Sequence, residues 1–131
     1  MMTSFQIGDY VRAHYNSGTY IGKIVEDRGD RYLIEVLAVY KHPMQGDIHN
    51  PFQVDDVFFH ERKALAYREK ANIKKPAVHP FSEEVPDYGE SLKQAVQAIK
   101  EKLMKEDTAY NKKALKNIES LEKNYYHVYY S

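Results

Sequence analysis

The chain has 131 residues, with 19 Lys and Arg against 19 Asp and Glu, six histidines and no cysteine. That length suits one domain, or a small module with an appendage, and a core that needs no staples. The missing cysteine excludes disulfides, thiolate metal sites, a thiol nucleophile and acylation on sulfur, and the zero net charge excludes a global field toward nucleic acid or anionic lipid.

The first ten residues, MMTSFQIGDY, contain no basic region and no apolar segment of leader length. The longest apolar run, Val36–Tyr40, falls far short of the ~20 residues of a membrane span. These features predict a soluble, cytoplasmic protein. The charge balance hides an asymmetry. Residues 1–60 carry five basic and eight acidic side chains, whereas 61–131 carry fourteen and eleven.

The first third predicts strands. Val11, Ala13 and Tyr15 alternate with Arg12 and His14, and Asn16-Ser17-Gly18 is a turn signal. A second strand, Tyr20–Glu26, leads to the turn Asp27-Arg28-Gly29-Asp30. Gly22 inside that strand predicts a bulge or a tight bend. Arg31–Tyr40 is a long strand that loses alternation in its second half, as burial on both faces or a bend at a barrel corner would require. Val57–His60 reads as a fourth strand. Short strands joined by tight turns predict closure into a small barrel.

Arg62–Ile73 reads as a short helix, with Ala64, Tyr67 and Ala71 on one face, although Ala64–Tyr67 also fits a last strand. Lys74–Val85, with Pro76 and Pro80, reads as an extended connector. Asp87 with Glu90 forms a capping-box-like start. Leu92, Ala95, Val96, Ile99 and Leu103 make one apolar helical stripe, and Leu115, Ile118, Leu121 and Tyr125 make a second after a break at Asp107-Thr108. The stripes are narrow and need a partner surface: each other, the barrel or another protein. The expected organisation is α+β. Residues 1–61 form a small β-barrel, 62–85 a basic short helix and proline-containing connector, and 86–131 a helical hairpin packing on the barrel.

The stretch Lys41–Phe52, KHPMQGDIHNPF, stands out. Two histidines, two prolines, a glycine, an aspartate and an asparagine follow a hydrophobic run, and such a loop suggests recognition. His42, His49 and His60 with Asp47 are candidate metal ligands, since imidazole and carboxylate suit zinc. Their spacing matches no compact ligand motif, and the alternative is that they hydrogen-bond the loop itself. His49 with Asp47, or His60 with Glu61, is a conceivable acid–base pair. No oxyanion hole, phosphate-binding glycine loop or nucleophile accompanies either, so no enzyme, catalytic residue or cofactor is expected. Arg62–Lys75 holds six basic residues against Glu69. Through Arg62, Lys63, Arg68 and Lys70 it suits either a solvated face or a phosphate backbone. Tyr125, Tyr126, Tyr129 and Tyr130 cannot all face one core from a helix. Some therefore dock on the barrel or meet a partner.

The succession GDYVRAHY, GTYIGKIVE, YLIEVLAVYKHPMQGDIHNP and FFHERKALAYREKANI, followed by Pro80-Phe81 and Val85-Pro86-Asp87-Tyr88, resembles the kinase-associated protein B family of spore-forming bacteria. The resemblance runs from Gly8 to Tyr125. It implies an SH3-like barrel followed by helices. It also implies a non-enzymatic role beside a membrane sensor histidine kinase that feeds the sporulation phosphorelay, as an accessory needed for that kinase's activity or expression. The family has no established catalytic residues to carry over. Its label sometimes includes "lipoprotein"; with neither leader nor cysteine, this chain is expected to reach a membrane only through its kinase. The expected protein-contact residues are His42, Met44, Asp47, His49, Arg62, Tyr67, Tyr126 and Tyr130. A nucleic-acid-binding barrel is the alternative.

Overall fold

The structure, a computed structural model, describes residues 4–47 and 49–130. Strands β1 (Tyr10–Tyr15), β2 (Gly18–Asp27) and β3 (Arg31–Lys41) form an antiparallel meander. After a long irregular stretch come β4 (Lys70–Lys74), a single 3-10 turn (Lys75–Ala77) and β5 (Val78–Pro80). Helices α1 (Tyr88–Met104) and α2 (Ala109–Asn124) follow, with a last 3-10 turn at Tyr126–Tyr129.

Local chemistry explains much of this. Asn16 and Ser17 both take positive φ, 47° and 69°, between the paired residues Tyr15 and Gly18. Two such residues form the mirror-image turn whose twist matches a hairpin. The β2–β3 register slips beside Gly22. A Cβ there would lie 2.6 Å from the Glu35 carbonyl oxygen and from Ile34 Cγ2, so only glycine lets the strands approach this closely. Asp87 caps α1 by accepting from the Glu90 N–H, and Thr108 caps α2 by accepting from the Asn111 N–H.

The sheet order is β4-β3-β2-β1-β5. Its two edge strands are consecutive in the chain, so the sheet curls. They are not hydrogen-bonded to each other, and the expected closure into a barrel is not made. The expected strand Val57–His60 is irregular, and the helix expected over Arg62–Ile73 is an extended segment running into β4. Arg68 has a φ of 68°, which no helix accommodates, and the Arg68 N–H donates to the Val36 carbonyl while the Val36 N–H donates to that of Glu69. Pairing with β3 overrides the alanine preference for helix.

Two cores result. Val11, Ala13, Ile24, Tyr32, Ile34 and Ile73 fill the inside of the curl. Tyr20, Val36 and Val39 join Leu92, Val96, Ile118, Leu121 and Tyr126 between sheet and helices. Each fully buried Leu or Ile there contributes about 1.5–3 kcal/mol. The α1 stripe is inward as expected. The α2 stripe loses its last member, because the helix ends at Asn124; Tyr125 is exposed and Tyr126 turns inward instead.

Candidate functional site

Residues 42–69 contain no helix or strand among those described, so their backbone groups need other partners. Gln45 supplies two. Its side-chain amide donates to the Arg62 carbonyl at 2.9 Å, and its Oε1 accepts the Arg62 N–H at 2.8 Å. This mimics one rung of a strand ladder. The Arg62 guanidinium reaches back to the Gly46 carbonyl at 3.0 Å, and the Gly46 N–H donates to the His60 carbonyl. Gly46 itself sits at a φ of 93° against the Phe59 ring. From α2, the Tyr110 hydroxyl donates to the Gln45 carbonyl at 2.9 Å.

Tyrosine hydroxyls hold the next residues. The Ala64 N–H donates to Tyr126 Oη (2.9 Å) and the Leu65 N–H to Tyr20 Oη (3.3 Å), while the Tyr88 hydroxyl donates to the Leu65 carbonyl (2.6 Å). Burial pushes the Tyr20 phenol up to about 12, and it pushes those of Tyr88 and Tyr126 above their ordinary value. All three stay protonated and able to donate. The chain holds twelve tyrosines, and part of that use is thereby explained: long side chains with a polar tip satisfy a buried irregular backbone.

His42 completes the set. It is 2 % exposed. Its Nδ1–H donates to the Pro43 carbonyl at 2.9 Å, and its Nε2 accepts from the Tyr126 hydroxyl at 2.8 Å. Burial lowers its pKa from 6.5 to about 4, so the ring is neutral. Both ring nitrogens are committed, which removes His42 as a metal ligand. Nor do His42 and Tyr126 face a partner, as expected from the sequence; they brace the loop from inside because they bury each other. His49 and His60 are exposed, and His60 lies against the Phe58 ring. Among the described residues no three His, Asp or Glu side chains are arranged to hold a metal ion.

Asp47 closes the loop's own turn. Its carboxylate accepts from Asn50 Nδ2 and from the His49 N–H, both at 2.9 Å, and these bonds hold its pKa below the usual 3.8. Neither proposed acid–base pair is seen to form a hydrogen bond between its side chains.

The basic segment is largely occupied. Arg62 is committed to Gly46, the Lys63 ammonium lies 4.3 Å from the Tyr125 ring centre, and Arg68 pairs with Glu35 at 3.4 Å. Lys70 is exposed on edge strand β4. Tyr67 is half exposed with its ring against Tyr88, and Tyr130 is half-buried against the helix-facing core.

A groove of about 690 Å³ opens between the loop and the α1–α2 turn. Met44, Phe52, Val54, Ile99, Leu103 and Tyr110 form its apolar lining, with Lys102, Lys105 and Glu106 beside them. Phe52 is 67 % exposed, held at a φ of 68° with its ring edge-on to Tyr110. Gln45, Phe52 and Tyr110 are the residues that sequence reasoning did not single out. Phe52 lay within the marked stretch; nothing local announced Gln45 or Tyr110.

Comparison with known proteins sharpens the picture. The family model described as "Kinase associated protein B" matches residues 15–126. "Kinase-associated lipoprotein B" of Bacillus subtilis (strain 168) is 46 % identical over 125 residues, which is 95 % of this chain and 98 % of the relative. The X-ray crystal structure of kinase-associated protein B from Bacillus cereus superposes with a TM-score of 0.79 at 34 % identity, covering 93 % of this chain and 98 % of that one. The word lipoprotein in the first relative's name overturns the cytoplasmic expectation, which rested on composition, and composition is too little to assign a compartment. No helix among the described residues is long and apolar enough to cross a membrane. The five-stranded antiparallel sheet with two C-terminal helices, and these matches over nearly the whole length, establish that the chain belongs to the kinase-associated protein B family.

Proposed function

We propose that this chain is a non-catalytic accessory protein that activates a sensor histidine kinase of the phosphorelay leading to sporulation, through protein–protein contact. The observation that carries this reading is the match over 95 % of the chain to a relative called kinase-associated. The site supports it. The polar groups of the loop bond to one another and to the cores. What faces outward is a partly apolar surface: Met44 and Phe52 beside the α1–α2 turn, with His49 exposed on the same loop. On this reading the curled sheet is an SH3-like barrel with one ladder left open; the boundary expected at residue 61 falls inside it, because 62–85 supplies β4 and β5 as well as the link to the helices, and the helical region after residue 86 supplies the other wall of the groove. Asp47 shapes the loop, and Arg62, Tyr67 and Tyr130 lie around it as further contact candidates.

The test is a pull-down of the kinase's cytoplasmic region by the chain and by a Met44→Ala/His49→Ala/Phe52→Ala variant. Asp47 is spared because it holds the turn. Recovery should fall at least tenfold, the equivalent of about 1.4 kcal/mol, well within reach of an apolar anchor. Equal recovery removes the loop from the interface, and recovery by neither protein sinks direct binding.

A further inference from the structure

Four nitrogen-bearing side chains converge on the sheet face formed by β3, β2, β1 and β5. Arg12 and His14 are alternate residues of β1 and therefore share a face. His79 of β5 stands opposite Arg12 in the register. Thr19 of β2 stands opposite both His14 and Lys41 of β3. The His14 and His79 rings meet edge to face with centres 5.2 Å apart, and His14 Nδ1 lies 3.0 Å from Thr19 Oγ1. Arg12 lies 5.5 Å from the centre of the Tyr40 ring.

Among the described residues, none of the four forms an ion pair. Glu83 and Glu84 line an adjoining cleft with Tyr40 without pairing with them. Among the described residues the Arg12 Nε is buried with no hydrogen-bond partner, an orphan donor that shares this condition only with the Tyr130 hydroxyl. Burial first, then the charges of His79, Arg12 and Lys41, lower the pKa of His14. Unpaired like charges are unfavourable for folding alone, so their convergence has the character of a site prepared for a counter-charge.

We infer that Arg12, His14, Lys41 and His79 form a binding site for a phosphoryl oxyanion. The chemistry selects phosphate over a lone carboxylate. A guanidinium, an ammonium, two imidazoles and a threonine hydroxyl offer more donors than two carboxylate oxygens accept, whereas a phosphate dianion presents three or more acceptors. The ligand is either free phosphate, or a small phosphate monoester, or the headgroup of a phosphomonoester lipid. The site lies on the sheet and shares with the Lys41–Phe52 stretch only its first residue, Lys41; none of the residues proposed for the kinase contact belongs to it.

The test follows the imidazole proton resonances of the intact chain through a pH titration, with inorganic phosphate or with chloride at equal ionic strength. Phosphate should raise the pKa of His14 and His79 by about half a unit or more, as a bound dianion favours the protonated rings, while the exposed His49, His60 and His127 stay put. Lys41→Gln, an exposed change expected to fold normally, should weaken the effect several-fold, and Arg12→Gln should weaken it further. Vesicles containing phosphatidic acid, compared with neutral vesicles, identify the headgroup source if they produce the same selective shift. Equal movement of all exposed histidines, or no movement with either phosphate or vesicles, overturns the site.

Discussion

The curled sheet and the irregular segment 42–69 solve the same problem differently. In the sheet, backbone groups pair with neighbouring strands, and Val11, Ile24 and Ile34 need only be apolar and of suitable size. In the segment, side chains from distant elements take over: Gln45 serves Arg62, Tyr126 serves Ala64, and Tyr20 and Tyr88 serve Leu65. A ladder tolerates many sequences, but a clasp made of single side chains depends on each one. The exposed groove face rests on the second kind of structure.

The most severe way to break the sheet side is Gly22→Ala. The new methyl meets backbone at 2.6 Å; overpacking typically costs about 1–3 kcal/mol, and a clash with backbone, which cannot rotate away, belongs at the top of that range. Urea unfolding should show a lower midpoint, and a wild-type midpoint would mean that β2 and β3 separate easily.

The next test sets the segment against the sheet through pH. The pKa of His42 is about 4 in the folded chain and 6.5 as the ordinary value, so as pH falls the unfolded chain takes up the proton first. The stabilisation is complete above pH 6.5 and is lost as pH falls toward 4, by about 3 kcal/mol in all. Asp27 and Asp47, with pKa values lowered from 3.8, act mainly below that window. Denaturant midpoints from pH 8 to pH 4 should fall accordingly, and His42→Leu should flatten the slope. An unchanged slope in that variant would show that the ring does not stay buried and neutral.

The mildest change sharpens the contrast most. Gln45→Leu keeps the volume but leaves the Arg62 N–H and carbonyl without their partner, at about 2 kcal/mol. Amide exchange should quicken at Gly46, Arg62 and Ala64 while β2 and β3 amides keep their protection. Uniform acceleration would mean that clasp and sheet unfold as one unit.

Legibility divides along the same line. Asn16-Ser17-Gly18, Asp87 and Thr108 act within a few residues of themselves, and their roles are readable in one dimension. The stripe Leu92–Leu103 is readable because helical spacing is local. The segment after His60 misleads for the opposite reason: its alanines favour helix, but β3 and the tyrosine hydroxyls compete for the same backbone groups and win. His42 was singled out by its neighbours in sequence, while its role is set by Tyr126, 84 residues away.

The sequence by itself determined the α+β composition, the turns and caps, the helical stripes and, through the pattern around Lys41–Phe52, the family. Only the tertiary structure decided that the sheet stays open, that His42 and Tyr126 face inward, that Gln45 clasps Arg62, and that Arg12, His14, Lys41 and His79 gather on one face. The physical reason is range: propensity, turn geometry and amphipathic spacing act over a few residues, whereas burial and hydrogen-bond satisfaction depend on whichever distant groups the fold brings within about 3 Å.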